Sequence, residues 1–254
     1  MSSRLPIRIL LILPALLLMG FEGSAFATES KWQSVFPGMD VRRVERVSSG
    51  QELRLHLIRV DTGKFEFRAL RPSSGKVDSV LNLVQSSGAL AGINGSFFFE
   101  NLDPMGLLIS QGVKSHSLRR VDWGVFSLSK KGEAELVHTR DWTGENGVSF
   151  AIQTGPRLVV DGKPLTFRDS FARRSALCIV SPRTVVIVGT SNSVRMRDLA
   201  VVMSQPESAG GLGCVQALNL DGGSSTHMVM PKRSEVMGVH GFDRVPVGIG
   251  VFPR

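Results

Sequence analysis

Short apolar runs with a period of two, separated by turn residues, recur along most of the chain and predict strands rather than long helices. Leu53, Leu55 and Leu57 alternate with polar partners in ELRLHLIRV. Phe65 and Phe67 do the same in KFEFRAL after the Asp61-Thr62-Gly63 turn, so these two segments read as a hairpin. GVFSLS and AELVHT flank Lys130-Lys131-Gly132, AIQTGPRLVV and PLTF flank Asp161-Gly162, and SALCIV and TVVIVGT flank Ser181-Pro182-Arg183, giving three more hairpins. Helical signals are few. Asp78 is placed to cap a short helix through Val80, Leu81 and Val84 that ends near Gly88, before ALAGIN returns to strand. A second helix is predicted over residues 196–204, with Leu199, Val202 and Met203 on one side. A glycine-rich loop at residues 209–213, the strand CVQALNL and a final strand VPVGIGVF follow, so loss of the tail is expected to be poorly tolerated. The predicted fold class is α+β, with one domain over residues 47–254 of mostly antiparallel or mixed twisted sheet and two or three helices. An N-terminal arm over residues 28–46 precedes it.

Residues 1–27 read as a cleavable export signal. Arg4 and Arg8 precede the apolar run LLILPALLLMG, and Ala25-Phe26-Ala27 offers a small-x-small cleavage site. The run is shorter than the roughly 20 apolar residues of a membrane span, so no stable span is expected after cleavage and the protein is expected to be periplasmic or secreted. Arg4, Arg8 and Glu22 leave with the signal, which takes the net charge from +8 to +7. The remaining basic residues never run longer than two, as at Arg119-Arg120 or Arg173-Arg174. Without a clustered stripe a nucleic-acid partner is not expected, and attraction of anionic substrates is the functional reading of the charge. Two cysteines are too few for a disulfide scaffold or a zinc ribbon. In an oxidising compartment Cys178 and Cys214 either pair or serve as small buried hydrophobes.

Two segments share one logic, an apolar strand that stops at a polar-glycine turn: AGINGSFF over residues 91–98 and ALNLDGGSS over residues 217–225. Glycines there let successive N–H groups face one cavity and hold an anion, with Asn94 and Asp221 at the strand ends. The alternative is a pair of tight turns whose Asn and Asp bond their own backbone.

INGSFF at 93–98, PMGLLISQG at 104–112, TGPRLVVDGK at 154–163, RSAL at 174–177 and ALNLDGGSS at 217–225, in this order, resemble the phosphodiester glycosidases. The resemblance implies hydrolysis of a sugar-1-phosphodiester at the glycosidic bond, releasing free sugar and a phosphomonoester, here on an envelope or extracellular glycan. It implies Asp221 as the principal carboxylate, Arg174 as the phosphate-binding cation, and Glu100, or Asp103 after a loop shift, as acid/base partner. His227 is a further acid/base or donor candidate near neutral pH. Asn94 and Gly95 are expected to orient substrate, and Gly222, Gly223, Ser224 and Ser225 to form the anion cradle. Ser96 stands where the family frequently has a second glycine, two glycines follow Asp221 where three are common, and Cys178 replaces a frequent glycine. No cofactor is demanded. Asp221, Glu100 and Asp103 offer oxygens of the kind Ca²⁺ accepts, at a spacing that matches no calcium loop. The competing reading is a non-catalytic phosphoglycan- or carbohydrate-binding protein on the same fold.

Overall fold

The computed structural model describes residues 28–29, 31–73, 75–144, 146–168, 170–231 and 238–254. The expected signal at residues 1–27 lies outside them. No described helix is long and apolar enough to cross a membrane.

Three antiparallel sheets enclose a common core. The main sheet runs, in spatial order, Thr28–Glu29, Met39–Ser48, Gln51–Asp61, Thr184–Thr190, Ser175–Ser181, Gln216–Asn219, Arg157–Val160 and Lys163–Pro164. The second sheet orders Ala134–His138, Gly124–Ser129, Val148–Thr154, Leu108–Ser110 and Val113–His116. The third orders Gly238–Val239, Met228–Val229, Ala91–Asn94, Gly248–Pro253 and Phe65–Leu70. Every described strand pairing is antiparallel, so the mixed sheet that the sequence allowed does not occur among them.

The expected hairpin between ELRLHLIRV and KFEFRAL is replaced by two separate pairings. Gln51–Asp61 turns back on Met39–Ser48 through Ser49 and Gly50, both at positive φ, which is the two-residue geometry that matches strand twist. Phe65–Leu70 instead enters the third sheet beside the C-terminal strand. The arm expected over residues 28–46 is corrected by the same pairing. Met39, Val41 and Val44 are buried in strand, so this segment is part of the main sheet. AIQT and RLVV likewise separate into different sheets, and only Arg157–Val160 pairs across Asp161-Gly162. The other two hairpins form as the turn residues suggest.

The alternation of Phe65 and Phe67 points Phe67 into the core, where its ring lies 6.0 Å from both Phe126 and Phe150 of the second sheet. Each such ring, removed from water, contributes about 1.5–3 kcal/mol. Ile58, Leu177, Ile187 and Leu218 face the same core from the main sheet. The sheet's other face carries Leu53, Leu55 and Leu57, and the Met196–Ser204 helix covers it with Leu199, Val202 and Met203. Within that cluster Cys178 and Cys214 form a disulfide. The Val80–Ser87 helix packs Val80, Leu83 and Val84 on the back of the third sheet. Its N-cap is Ser79, whose hydroxyl accepts from the Asn82 amide, while Asp78 braces the cap from one residue earlier.

Candidate active site

The main and third sheets meet at strand ends, and Asn94 ties them. It ends the strand Ala91–Asn94, which is central in its sheet and buried at every residue. The Asn94 carboxamide donates to the Asp221 carbonyl at 2.7 Å and accepts from Ser175 Oγ at 2.6 Å and the His227 amide at 3.1 Å. The Asp221 amide donates to the Gly95 carbonyl at 3.0 Å. Three segments distant in sequence, around Asn94, Ser175 and residues 221–227, are thus held by one fully buried side chain. Asn94 is occupied by this task, so it positions Asp221 rather than facing a substrate as the sequence suggested.

The Asp221 loop is built by close backbone approach. A Cβ on Gly222 would lie 2.9 Å from the Arg173 carbonyl, so only glycine fits without a shift. Gly222 N–H donates to Asp221 Oδ1 at 2.9 Å, Gly223 N–H to the Arg173 carbonyl at 2.8 Å, and Ser225 N–H to the Gly222 carbonyl at 3.2 Å. Gly95 N–H is likewise taken by the Val247 carbonyl at 3.0 Å. These amides hold the loop together and are not the free anion cradle that the glycine pattern suggested. Ser225 bonds the Asp221 carboxylate, and Ser224 Oγ is engaged by Asp243. Burial raises the Asp221 carboxyl above its ordinary value, with the Asp243 charge adding to the rise and the bonds from Ser225 and Gly222 opposing it.

Two guanidiniums border the loop. Arg174 is buried with its Cδ against Gly222; its Nη2 donates to the Ser170 carbonyl at 2.8 Å and hydroxyl at 2.9 Å, while Nε lacks a partner among the described residues. Arg173, which the sequence ranked below Arg174, donates to the His240 carbonyl at 2.6 Å and lies over Phe242 at 4.5 Å, with Nη2 lacking a partner among the described residues. Burial lowers both arginine pKa values, and neither has an ion pair among the described residues. His227 is buried, and both ring nitrogens lack a hydrogen-bond partner among the described residues. Burial, then His240 and Arg173, push its pKa down to about 4, so it is a neutral imidazole near pH 7 and the acid/base transition expected there moves well below it.

Glu100 is exposed beside an open cavity of about 580 Å³ with Phe98, Phe99 and Met105, and no hydrogen bond ties it to Asp221. Asp103 accepts from Asn101 and faces His116 at 3.7 Å. Asp221 therefore takes its neighbouring charge from Asp243, a residue the sequence did not single out and whose turn GFDRV carries no distinguishing pattern. Among the described residues no group of three or more His, Cys, Asp and Glu side chains gathers in a way that could hold a metal.

Most buried polar side-chain atoms that lack a partner among the described residues belong to this region: Ser96 Oγ, Thr154 Oγ1, Asn219 Oδ1, Thr226 Oγ1 and the Arg173, Arg174 and His227 nitrogens. Continuity is direct, since Asn219 donates to the Gly155 carbonyl next to Thr154, and Thr226 precedes His227. A buried unpaired polar atom is costly, at about 1–3 kcal/mol, so their concentration marks a surface suited to a polar ligand.

The phosphodiester glycosidase family profile matches residues 87–252. No curated protein sequence matches the chain. Among solved structures, the catalytic domain of zebrafish N-acetylglucosamine-1-phosphodiester alpha-N-acetylglucosaminidase, described as auto-inhibited by pro-peptide, superposes with a TM-score of 0.68 at 13% identity, covering 91% of this chain and 88% of that one. A hypothetical protein from Synechocystis gives 0.58 at 14% identity, covering 85% of this chain, which spans 62% of that protein's length. At such identities these likenesses concern the fold alone.

Proposed function

Since the chain belongs to the phosphodiester glycosidase family, we propose that it hydrolyses a sugar-1-phosphodiester at the glycosidic bond. The observation that carries this reading is the half-buried Asp221 carboxylate on a braced loop that is bordered by Arg173 and Arg174, two arginines with under-bonded guanidiniums. The reaction needs opposite charges at its two ends. As the bond from the anomeric carbon to the phosphate oxygen breaks, its electron pair leaves with the phosphate and positive charge develops on the sugar. Asp221 stabilises that positive charge. Arg174 and Arg173 receive the growing negative charge of the phosphomonoester through N–H groups that protein acceptors leave open. Water adds its hydroxyl to the anomeric carbon, and its proton passes to Asp221, whose burial makes it a stronger base than an exposed carboxylate. Ser96, Thr154, Asn219 and Thr226 supply hydroxyl and amide groups for the sugar. Export is part of the reading: the signal pattern at residues 1–27 and the Cys178–Cys214 disulfide both fit an oxidising compartment.

The test is incubation of residues 28–254 with sugar-1-phosphodiesters of varied sugar and acceptor, with mass spectrometry of both products. Free sugar and phosphomonoester are expected in equal amounts, with Asp221→Asn slower by about 100-fold or more while still binding substrate. Substrate binding without either product across the panel would refute hydrolysis in favour of a binding protein.

A further inference from the structure

A second cavity, of about 870 Å³, lies beside this site and contains none of its residues. Arg120, Arg140 and Arg157 line it, with Trp142 offering a half-buried indole. The side chains of Arg120 and Arg157 have no ion pair or hydrogen bond among the described residues, and that of Arg140 faces the exposed Asp141, at 3.7 Å. The acidic residue of the lining, Asp122, is engaged by His138 Nε2 at 2.8 Å. The net character is therefore cationic, with guanidiniums suited to the paired oxygens of phosphate.

The cavity walls are fixed by the fold. Gln153, fully buried, accepts from the Leu107 and Arg119 amides at 3.1 and 2.8 Å and donates to the Arg119 carbonyl and Thr139 Oγ1. It thereby pins the segment before Arg120 to the one before Arg140. The Arg157 stem crosses Gly124, where a Cβ would lie 2.8 Å from Arg157 Cγ, so the missing side chain opens its path. Trp123, next in sequence to the lining residue Asp122, packs its ring 5.2 Å from that of Phe97 and against Gly155. The Gly155 carbonyl accepts from Asn219, two residues before Asp221.

We propose that this cavity is a subsite for a second phosphate of the same substrate, so that the preferred substrate is a glycan of several sugars joined by phosphodiesters. The proposal rests on the hydrolase reading for the identity of the first site. The cationic cavity, indole platform and continuity with the Asp221 region favour such a chain over an isolated sugar phosphodiester.

Three probes test it by calorimetry on Asp221→Asn, which is expected to bind substrate with turnover slowed by about 100-fold or more: a hexose trimer joined by phosphodiesters, the same trimer with neutral glycosidic links, and a single sugar-1-phosphodiester. The phosphodiester trimer is expected to bind at least about tenfold tighter than either other probe. Adding Arg120→Gln and Arg157→Gln is expected to remove that advantage, as loss of charge-assisted bonds implies. Arg120→Gln alone, at an exposed position, provides a variant that leaves the fold untouched, and it is expected to remove part of the advantage. With Asp221 intact, the double variant raises KM for the trimer and leaves kcat on the single phosphodiester unchanged. Equal affinity for the neutral trimer, or no effect of both arginine changes, overturns the subsite while leaving hydrolysis standing. Arginine-dependent binding without turnover by the Asp221 protein would overturn the hydrolase reading and keep the anion site.

Discussion

Replacing Asn94 tests whether one carboxamide holds the two sheets in register at the site. Ser175→Ala removes one of its three bonds and leaves the Asp221 carbonyl and the His227 amide served. A net buried hydrogen bond contributes about 1 kcal/mol, so this change costs about that much. Asn94→Ala leaves the Asp221 carbonyl, the His227 amide and the Ser175 hydroxyl without that partner, at about 1–3 kcal/mol for each buried group. The Ser175 hydroxyl can rotate to another acceptor, which brings the expected total to about 3–5 kcal/mol. In guanidinium chloride unfolding at constant m, the midpoint of Asn94→Ala should fall several times as far as that of Ser175→Ala. Adding Ser175→Ala to Asn94→Ala should change the stability by less than about 0.5 kcal/mol, because the shared bond is already gone. Equal midpoints for the two single variants, or full additivity in the double, would refute the bracing role.

Titration of the buried groups gives two predictions of opposite sign. The folded state raises the Asp221 carboxyl above 3.8, so it holds this proton more tightly than the unfolded chain, and the stability from this group falls as pH rises from 3.8 through the raised value. Asp221→Asn should therefore be the more stable protein at pH 7 in thermal melts; a lower melting temperature there contradicts the argument. His227 is lowered from 6.5 to about 4, so the unfolded chain binds the proton first and stability is lost as pH drops through that interval. Melts of His227→Gln between pH 7 and 4 should show a shallower decline than the parent, with His56, also lowered to about 4 by burial, supplying the residual slope; an unchanged decline is the contrary result. The Cys178–Cys214 link spans 36 residues, and chain entropy assigns such a loop about 3.5–4 kcal/mol. Changing both cysteines to alanine should lower Tm by about 8–15 °C, and a shift under about 2 °C by calorimetry, below the roughly 2–4 °C that 1 kcal/mol produces in a domain of this size, would show that the link stabilises little.

The strands were legible because their apolar period is local, and the Met196–Ser204 helix because Leu199, Val202 and Met203 fall on one face. Which sheet a strand joins was not. The turn after Asp61 looks like a hairpin turn, yet the Thr62 hydroxyl donates to the Gly132 carbonyl and its amide to the Arg183 carbonyl, so neighbouring turns capture it and redirect Phe65–Leu70. The candidate site shows the same division. Glycines beside Asn94 and Asp221 marked the place, because close backbone approach leaves a residue-type signature. What the freed N–H groups bond depends on the Arg173 and Val247 carbonyls, which come from other segments of the chain and have no signature at all.

That division carries a physical consequence for how the site is organised. The backbone amides around Asp221 are spent on holding the loop, whereas side-chain atoms of Ser96, Thr154, Asn219, Thr226, His227 and the two arginines lack partners among the described residues. A loop whose amides bound the ligand directly would relax whenever the ligand left, because the same bonds would serve both fold and recognition. Here the two functions use different atoms. The Asn94 brace and the glycine amides fix Asp221 with or without substrate, and the cost of preorganisation is placed in buried hydroxyls and guanidinium nitrogens that a sugar phosphate is suited to satisfy. Rigidity and recognition are thus separable by substitution: changes at Asn94 are expected to act first on stability, and on the proposed hydrolysis changes at Arg173 or Arg174 are expected to act first on the negative charge that develops as the phosphate departs.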